Sequence, residues 1–433
     1  MEDKKRQIIV EDNLNPEDNA MLQALYSRSA ASVTDHLEKV KKSGSGKFME
    51  SFYVGYGHGS IGDCGSTTIF IENVSILAAK AIQDWRLYNG QETSTRYIDM
   101  AKQPIVDPLG TKESKAILDT WMNFYINSQE KVKEHLRVTH PRRDEEEEKV
   151  YERAVNARVF DTLRAFLPAG ICTQLSWHTN LRQAADRLAL LVHHPLSEIK
   201  EVAKEILAQL KTKYPSSFSH KLYDAQESYR EDVSQVFSYY CNPDSPAFSF
   251  KTNISAESLK PFAKILADRP IKTNLPSFLD ELGGCYCDYL IDFGSSRDLQ
   301  RHRNGVFRMP LATTRFGFSA WYLEQLPDDL KTEALSLIKL QTERIEKLNC
   351  DDNTKQYYVS LGFLVSCRTY YSLPGLIYMI ELRSDTTVHP TIRPIMAKIH
   401  HELKKLFPEI ALHTNLNESD WDIRRGQQTI EKK

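Results

Sequence analysis

Residues 66–74 read Ser-Thr-Thr-Ile-Phe-Ile-Glu-Asn-Val, and a helical pattern follows them at once. β-Branched and aromatic residues predominate in this stretch, as they do in β-strands. Apolar residues then recur at spacings of 3, 4, 7 and 11 from the first, namely Val74, Leu77, Ala78, Ala81 and Trp85. This period is typical of an amphipathic helix. The sequence therefore predicts a strand that passes directly into a helix running on to Asp84-Trp85-Arg86.

A similar strand is predicted in the second half of the chain. Residues 285–292, Cys-Tyr-Cys-Asp-Tyr-Leu-Ile-Asp, favour a strand, and residues 294–300 lead from it into the triplet Arg301-His302-Arg303. Arg303 lies 217 residues after Arg86, half the length of the 433-residue chain. The two stretches therefore look like copies of one another.

A second resemblance lies near the end of each half. Leu191-Val-His-His194-Pro195 opens one helical pattern, and Arg383-Ser-Asp-Thr-Thr-Val-His389-Pro390 opens another. His389 follows His194 by 195 residues, so the halves differ by an insertion or deletion, for which the charged stretch 140–149 is a candidate. Two resemblances in the same order predict a tandem duplication.

Helical patterns dominate between these landmarks. They cover residues 148–167, 179–192, 196–211, 255–267, 331–349 and 391–406. Strands followed by helices, with more helix than strand, predict an α/β or α+β fold of two helix-rich sandwich domains in tandem. The polar segment 213–232, which contains Pro and Ser, predicts the boundary, so the domains would comprise residues 1–215 and 216–433.

Composition and charge indicate a globular protein without a nucleic-acid or membrane partner. The 56 basic and 58 acidic side chains leave a net charge of −2, whereas general nucleic-acid binders carry a basic excess. No apolar run is long enough to cross a bilayer, and the charged start is unlike a secretory signal. The seven scattered cysteines fit reduced thiols, and the spacing of Cys285 and Cys287 favours core packing over a metal site. We therefore expect a cytoplasmic protein.

Two clusters in the first half carry polar groups that suit an anion. In residues 55–62, Gly-Tyr-Gly-His-Gly-Ser-Ile-Gly, the glycines let backbone N–H groups approach a ligand, and His58 and Ser60 add donors. A plain turn is the alternative. Residues 91–97, Gln-Glu-Thr-Ser-Thr-Arg-Tyr, combine hydroxyls, a carboxylate and a guanidinium group that suits phosphate oxygens or an ionised imide. A solvated capping loop is the alternative here.

Two further clusters are rich in arginine. Arg301-His302-Arg303 places two permanent charges around a histidine, an arrangement that either faces water or binds an anion. Arg164-Ala-Phe-Leu-Pro168 closes a helical pattern, and Asn180, two residues before Arg182, is a candidate helix N-cap. Capping accounts for Asn180 but leaves the arginines unexplained. The residues themselves predict an anion-binding enzyme with arginine-rich clefts and go no further.

In this order, the four clusters resemble the flavin-dependent thymidylate synthases, the ThyX-type enzymes. That family carries a glycine-rich stretch with a histidine, the signature R-H-R-x(7)-S-x-R, an R-x-x-x-L-P segment, an N-x-R helix start and a late arginine. The matching residues are His58, Ser60, Arg86, Glu92, Ser94, Arg96, Tyr97, Arg164 with Pro168, Asn180, Arg182, Arg301, His302, Arg303 and Arg383. The resemblance covers residues 55–200 well and about 285–400 more loosely.

Each half departs from the family pattern where the other half keeps it. Asp84 and Trp85 replace the opening Arg-His in the first half, where Leu191 also takes the place of the late arginine. The second half keeps both features but lacks the Ser-x-Arg tail, to which Thr313-Thr314-Arg315 is nearest. Similar family members are homotetramers whose sites draw on neighbouring subunits. The resemblance thus implies that both halves share one site and that a homodimer replaces the tetramer.

The resemblance also implies a reaction. Members of the family methylate dUMP at C5 to give dTMP, with methylenetetrahydrofolate as carbon donor and FAD reduced by NADPH as hydride source. No protein cysteine attacks the uracil in that reaction, which fits a chain whose clusters have no Cys apart from Cys172 between two of them. The alternatives are alkylation of another pyrimidine nucleotide and a non-catalytic nucleotide- or flavin-binding paralogue.

The implied roles divide the residues into three groups. The catalytic residues are Arg383, which stabilises the ionised imide, and Ser94, as a hydrogen-bond donor rather than a nucleophile. The substrate-binding residues are Glu92, Ser94, Arg96, Arg164 and Arg383. The FAD-binding residues are His58, Ser60, Arg86, Asn180, Arg182, Arg301, His302 and Arg303.

Overall fold

The computed structural model describes residues 13–29 and 31–417. The chain divides into two compact units, each made of several segments. The first unit comprises Met1–Ile71, Leu87–Gln91 and Leu175–Val236, and the second comprises Glu72–Arg86, Glu92–Gln174 and Phe237–Lys433. This division follows compactness and does not test the boundary between the repeats, so domains 1–215 and 216–433 stay a prediction.

The described residues form nineteen α-helices and six β-strands. The helices are α1 Pro16–Tyr26, α2 Val33–Ser43, α3 Gly46–Phe48, α4 Gly59–Asp63, α5 Ile76–Gln83, α6 Lys112–Asn127, α7 Gln129–Thr139, α8 Glu148–Leu163, α9 Leu181–Leu191, α10 Ser197–Lys213, α11 Asp224–Phe237, α12 Ala256–Leu259, α13 Ala263–Ala267, α14 Phe293–Gln300, α15 Ala320–Glu324, α16 Asp328–Glu346, α17 Asp352–Lys355, α18 Leu373–Arg383 and α19 Arg393–Leu406. The strands are β1 Ser66–Ser75, β2 Cys172–Asn180, β3 Phe248–Thr252, β4 Gly284–Asp292, β5 Val306–Arg308 and β6 Leu364–Ser372. Short 3₁₀ turns include Arg164–Phe166 and Gln356–Tyr358.

Helices and small sheets together confirm the predicted α+β class. Strands β1 and β2 form one sheet, and a second sheet has the order β3-β4-β6-β5 with antiparallel neighbours. In β4 the side chains of Cys285 and Cys287 are buried on one face while Tyr286 between them is exposed, as the strand period requires. The cysteines are therefore core residues, as predicted.

Two predicted helices differ from the observed ones. The first predicted helix, which included Val74 and Trp85, is shorter in the structure. Strand β1 continues to Ser75, and the Ser75 Oγ accepts a hydrogen bond from Ala78 N, so helix α5 begins only after Ser75. The helix predicted at 255–267 is broken into α12, a 3₁₀ turn and α13. Pro261 opens that turn, and proline lacks the N–H that a continuous helix needs.

Backbone hydrogen bonds within the second unit show the internal repeat directly. Residues 165–170 pair with residues 357–362, and Pro168 and Ser360 form a bridge at the centre. The bonds are Ala169 N to Val359 O, Leu361 N to Leu167 O, Gly170 N to Tyr357 O and Gly362 N to Ala165 O. The bonds come in two pairs related by an offset of 192 residues. If 192 is added to the residue number from the first segment and subtracted from that of the second, the bond Ala169 N to Val359 O becomes the bond Leu361 N to Leu167 O. The two segments are therefore equivalent and are related by a local twofold axis.

The junction between strand β1 and helix α5 is repeated at the junction between strand β4 and helix α14. Ile76 N donates to Ile171 O, and Phe293 N donates to Phe363 O in the equivalent place. Asp292 caps α14 through Ser295 N, as Ser75 caps α5. Within the second unit, residues near 76 and 293 are thus equivalent at the offset of 217 seen in the sequence.

Aromatic packing holds the two 3₁₀ turns in the core of the second unit. Trp121 is fully buried, and its Nε1 donates to Tyr358 O at 3.0 Å. The Phe166 ring lies 4.5 Å from that of Phe124 and 5.3 Å from that of Phe318, measured between centroids. Such packing fixes the backbone from which Arg164 extends. Among the described helices, none is both long and apolar enough to cross a membrane.

Candidate functional site

Glu92, one of the predicted substrate-binding residues, lies in a buried polar network of the second unit. Its Oε2 lies 2.6 Å from Lys80 Nζ and accepts a 3.0 Å hydrogen bond from Gln83 Nε2. The Lys80 side chain is only 1% exposed and projects from helix α5, in which the other residues before Gln83 are apolar. A buried ammonium requires such partners, and Glu92 supplies the charge.

The pKa values show that this pair is ionic at neutral pH. Burial raises the pKa of Glu92, but Lys80 and Arg297 outweigh it and hold that pKa at about 2. Burial lowers the pKa of Lys80 to about 8, against the attraction of Glu92. Both groups are therefore charged near pH 7.

Arg297 is a site residue that the sequence did not single out. It lies on α14, is 8% exposed, and its Nη2 is 3.8 Å from Glu92 Oε1. Its Nε and Nη1 are buried and have no hydrogen-bond partner within the described part of the chain. The sequence did contain a signal for Arg297. Lys80 is a single charged residue among the apolar residues of its helix, and Arg297 is its equivalent 217 residues later.

Arg96 is fixed by a buried carboxylate. Its Nε and Nη2 donate to the two oxygens of Asp161 at 2.7 and 3.2 Å, and Nη2 also lies 3.4 Å from Thr387 O. Asp161 is fully buried and the Arg96 side chain is 13% exposed. The Ser94 hydroxyl accepts from Arg96 N at 3.2 Å, so Ser94 closes the turn that presents Arg96. The ligand-binding role of Ser94 stays a prediction.

Arg164 is the most deeply buried of the predicted arginines. Its Nη2 donates to Ser295 Oγ at 2.8 Å and its Nε to the Tyr322 hydroxyl at 3.3 Å. Asp161 and Asp292 lie at 4.0 and 3.9 Å. Burial lowers the pKa of Arg164, but Tyr322 and the two carboxylates outweigh it and raise that pKa. The guanidinium is therefore charged and held in place.

Arg383 is oriented by a neutral histidine. Its Nε donates to His302 Nε2 at 2.6 Å, and the Tyr371 hydroxyl donates to His302 O at 2.9 Å. Burial, with Arg383 and Arg301 nearby, lowers the pKa of His302 to about 3, so the imidazole accepts the bond. Burial and Arg96 lower the pKa of Arg383, and Arg96 Nη2 lies 3.4 Å from the carbonyl oxygen of Thr387, four residues after Arg383. The structure thus brings residues of both halves of the predicted signature together.

His389, noted in the sequence only as a landmark, belongs to the same network. Its Nδ1 lies 2.9 Å from Thr391 Oγ1, and its Nε2 lies 3.7 Å from Asp161 Oδ1. Burial and the neighbouring Arg164, Arg96 and Arg158 hold its pKa well below the usual value. His389 is therefore a neutral partner among arginines.

The eight predicted FAD-binding residues divide between the units. In the first unit, His58 and Ser60 are exposed, Asn180 caps α9 through Gln183 N, and Arg182 pairs with Asp63 at 2.7 Å. The N-cap prediction for Asn180 is thereby confirmed. The second unit holds the other four, Arg86, Arg301, His302 and Arg303; Arg301 pairs with Asp298, and Arg86 is exposed. Their shared role in binding FAD stays a prediction.

Positive charge exceeds negative charge in the network of the second unit. Its cations are Lys80, Arg96, Arg158, Arg164, Arg297 and Arg383. Its carboxylates are Glu92, Asp161 and Asp292. Bringing this many cations together away from water is costly, so among the described residues the network favours a bound anion. A phosphomonoester dianion offsets most of that excess.

Comparison with known proteins agrees with this chemistry. The family model described as thymidylate synthase complementing protein matches residues 9–216. This stretch, just under half of the chain, is therefore similar to the thymidylate synthase complementing proteins. The match contains His58, Glu92, Arg96 and Arg164, and it connects the chain with thymidylate synthesis.

Three curated proteins are similar to this chain over most of its length. A UPF0159 protein of Chlamydia pneumoniae is 23% identical over 89% of this chain and 83% of its own length. One from Chlamydia muridarum is 24% identical over 87% and 82%, respectively. A UPF0159 protein of Thermoplasma acidophilum is 22% identical over 91% and 94%. The similarity therefore extends well beyond the matched residues 9–216.

Proposed function

We propose that the protein is a flavin-dependent thymidylate synthase, which methylates dUMP at C5 with methylenetetrahydrofolate as carbon donor. The observation that carries the proposal is the convergence of Glu92, Arg96 and Arg164 from the first half with Arg383 from the second. These are complementary parts of one family signature, and neither half has all of them.

The excess of cations suits the phosphate group of dUMP. Arg96 and Arg164 present guanidinium groups that Asp161 holds from the buried side. Guanidinium groups bind phosphate oxygens through charge-assisted hydrogen bonds, and positioning by a fixed carboxylate reduces the entropy lost on binding. We assign both residues to the phosphate.

Arg383 is placed to activate the uracil ring. His302 fixes its Nε and leaves the outer nitrogens of the guanidinium for a ligand. A cation beside the imide stabilises its ionised form, which raises electron density at C5. A cysteine nucleophile is not required, and the buried thiol of Cys285 has a pKa raised by burial to about 11, which makes it a poor one.

The chemistry of the predicted FAD-binding residues fits a flavin dinucleotide. In the second unit, Arg301 and Arg303 are cations, which suit a pyrophosphate group. In the first unit, His58 and Ser60 are exposed polar residues. FAD, once bound and reduced by NADPH, supplies the hydride chemistry that the side chains lack. We also propose a homodimer, as the family resemblance implies.

Tritium release from 5-tritiated dUMP tests the proposal. With methylenetetrahydrofolate, NADPH and FAD, the wild-type protein should release tritium and form dTMP. Arg383→Ala should lower kcat by about 100-fold or more and leave FAD bound, because it removes one donor to developing negative charge. Arg368→Ala is the matched control, since Arg368 pairs with Asp288 on an exposed part of the sheet, and it should retain activity. Near-normal turnover in Arg383→Ala would refute the activation role.

Two other outcomes point to the alternatives. A colourless protein that does not bind added FAD would indicate a non-catalytic paralogue. Full flavin occupancy without tritium release would indicate alkylation of another pyrimidine nucleotide. Complementation of a thymidine auxotroph provides an independent test in cells.

A further inference from the structure

Arg297 carries unused hydrogen-bonding capacity. The side chain is more than nine-tenths buried, yet its Nε and Nη1 have no hydrogen-bond partner within the described residues. A buried donor without a partner loses the free energy of its hydration. The arrangement is favourable only if another group accepts from Arg297.

Glu92 has an unused hydrogen-bond acceptor that complements the unused donors of Arg297. Lys80 and Gln83 both contact Oε2, which leaves Oε1 as a buried acceptor without a hydrogen bond in the described structure. Arg297 Nη2 lies 3.8 Å from this Oε1, within ion-pair distance and too far for a hydrogen bond. An unused donor group and an unused acceptor therefore lie side by side.

The chemistry of this pair selects a hydroxyl group. A hydroxyl accepts a hydrogen bond from a guanidinium group and donates one to a carboxylate at the same time. A phosphate dianion does not suit the position, because the charged Glu92 would repel it. The phosphate is assigned instead to Arg96 and Arg164, which lie with Asp161.

We propose that Arg297 and Glu92 together bind the sugar hydroxyl of the nucleotide, which makes Arg297 a further substrate-binding residue. The inference rests on the proposed function, because dUMP has one free sugar hydroxyl, at the 3′ position. Arg297 then selects nucleotides that carry this hydroxyl, and Lys80 acts as a positioning residue that holds Glu92.

Binding of two nucleotides to two proteins tests the inference. Calorimetry compares dUMP with 2′,3′-dideoxyuridine 5′-monophosphate, which lacks the 3′-hydroxyl, on the FAD-loaded wild type and Arg297→Met. The wild type should bind dUMP more tightly by about tenfold or more, because the hydroxyl bonds to charged groups. Arg297→Met should lose most of this preference. Arg297→Lys, which keeps the charge, should retain part of it and serves if the methionine variant does not fold.

The possible failures are distinguishable. If Arg297→Met weakens both nucleotides equally and keeps the preference, Arg297 is only structural and the inference is overturned. Equal binding of both nucleotides by the wild type also overturns it, and leaves the proposed function standing. If the wild type binds neither nucleotide, the proposed function and the inference fail together.

Discussion

At the scale of single residues, the two buried histidines of the network are neutral and lie beside arginine side chains. His302 accepts a hydrogen bond from Arg383, and His389 lies against Asp161 among three guanidinium groups. A protonated imidazole in either place would add charge to a network that already has excess cations. Burial and the nearby arginines prevent this by lowering both pKa values.

This arrangement predicts a loss of stability in acid. The pKa of His302 is about 3 in the folded protein and about 6.5 in the unfolded chain. Between these values the unfolded chain binds the extra proton, so the free energy of unfolding falls as pH decreases from 6.5 towards 3. The slope is about 1.4 kcal/mol per pH unit for one proton. Urea unfolding of wild type and His302→Gln at several pH values measures it; the variant should show the smaller slope, and equal slopes would contradict the assignment.

The sequence singled out residues of the buried network where polar groups cluster along the chain, and it missed those that only packing brings together. Glu92, Arg96 and Arg164 belong to polar or signature stretches. Arg297 and Asp161 lie in helices with ordinary periodicity, and their importance depends on contacts between distant segments. A single sequence contains no direct information on such contacts.

At the scale of elements, the junction between a strand and its following helix recurs throughout the chain. Residues Ser75, Asn180 and Asp292 each end a strand and cap the next helix. Strand patterns and caps are local, so the sequence predicted β1, β4 and the cap Asn180 closely, but it did not predict β2 or the caps Ser75 and Asp292. Helix ends were less predictable, because the periodic stripe does not show where β1 gives way to α5.

Asn180 has two proposed roles, and paired variants separate them. Asn180→Ala removes the cap of α9, and Thr111→Ala removes the equivalent hydrogen bond that Ser114 N donates to Thr111 Oγ1 in α6. Each should lower the free energy of unfolding by about 1 kcal/mol. If Asn180 also binds FAD, only Asn180→Ala should weaken FAD binding, measured by fluorescence titration. Equal FAD affinity in both variants would leave Asn180 with the capping role alone.

At the scale of the whole molecule, duplication has left the two copies chemically different. Local symmetry makes Gln356 the equivalent of Arg164 and Asn353 the equivalent of Asp161. Gln356 is fully buried and uses its amide to bind Ala312 N and Asn353 O, which are backbone groups. Thr313 stands in the place of Arg96. The second copy has therefore lost the charges that we propose hold a phosphate in the first.

A cavity in the second unit, around Thr313, shows how the charges of the second copy differ from those of the first. It is lined by Thr313, Thr314, Arg315, Glu346, Asp352 and Lys355, among others. The two cations are balanced by two carboxylates, and Lys355 lies 3.7 Å from Asp352. No excess charge is left there to attract a dianion, so we propose that the second copy contributes Arg383 and Arg297 to the shared site and has no phosphate site of its own.

The duplicated chain should therefore bind one dUMP per chain and not two. Equilibrium dialysis with labelled dUMP and FAD-loaded protein measures the number. Arg164→Gln, which gives the first copy the residue found in the second, should abolish saturable binding, provided that its melting curve shows a folded protein. Thr313→Ala should leave the number at one. Two molecules of dUMP per wild-type chain, or loss of binding in Thr313→Ala, would show that the second copy has kept a nucleotide site despite its neutral side chains.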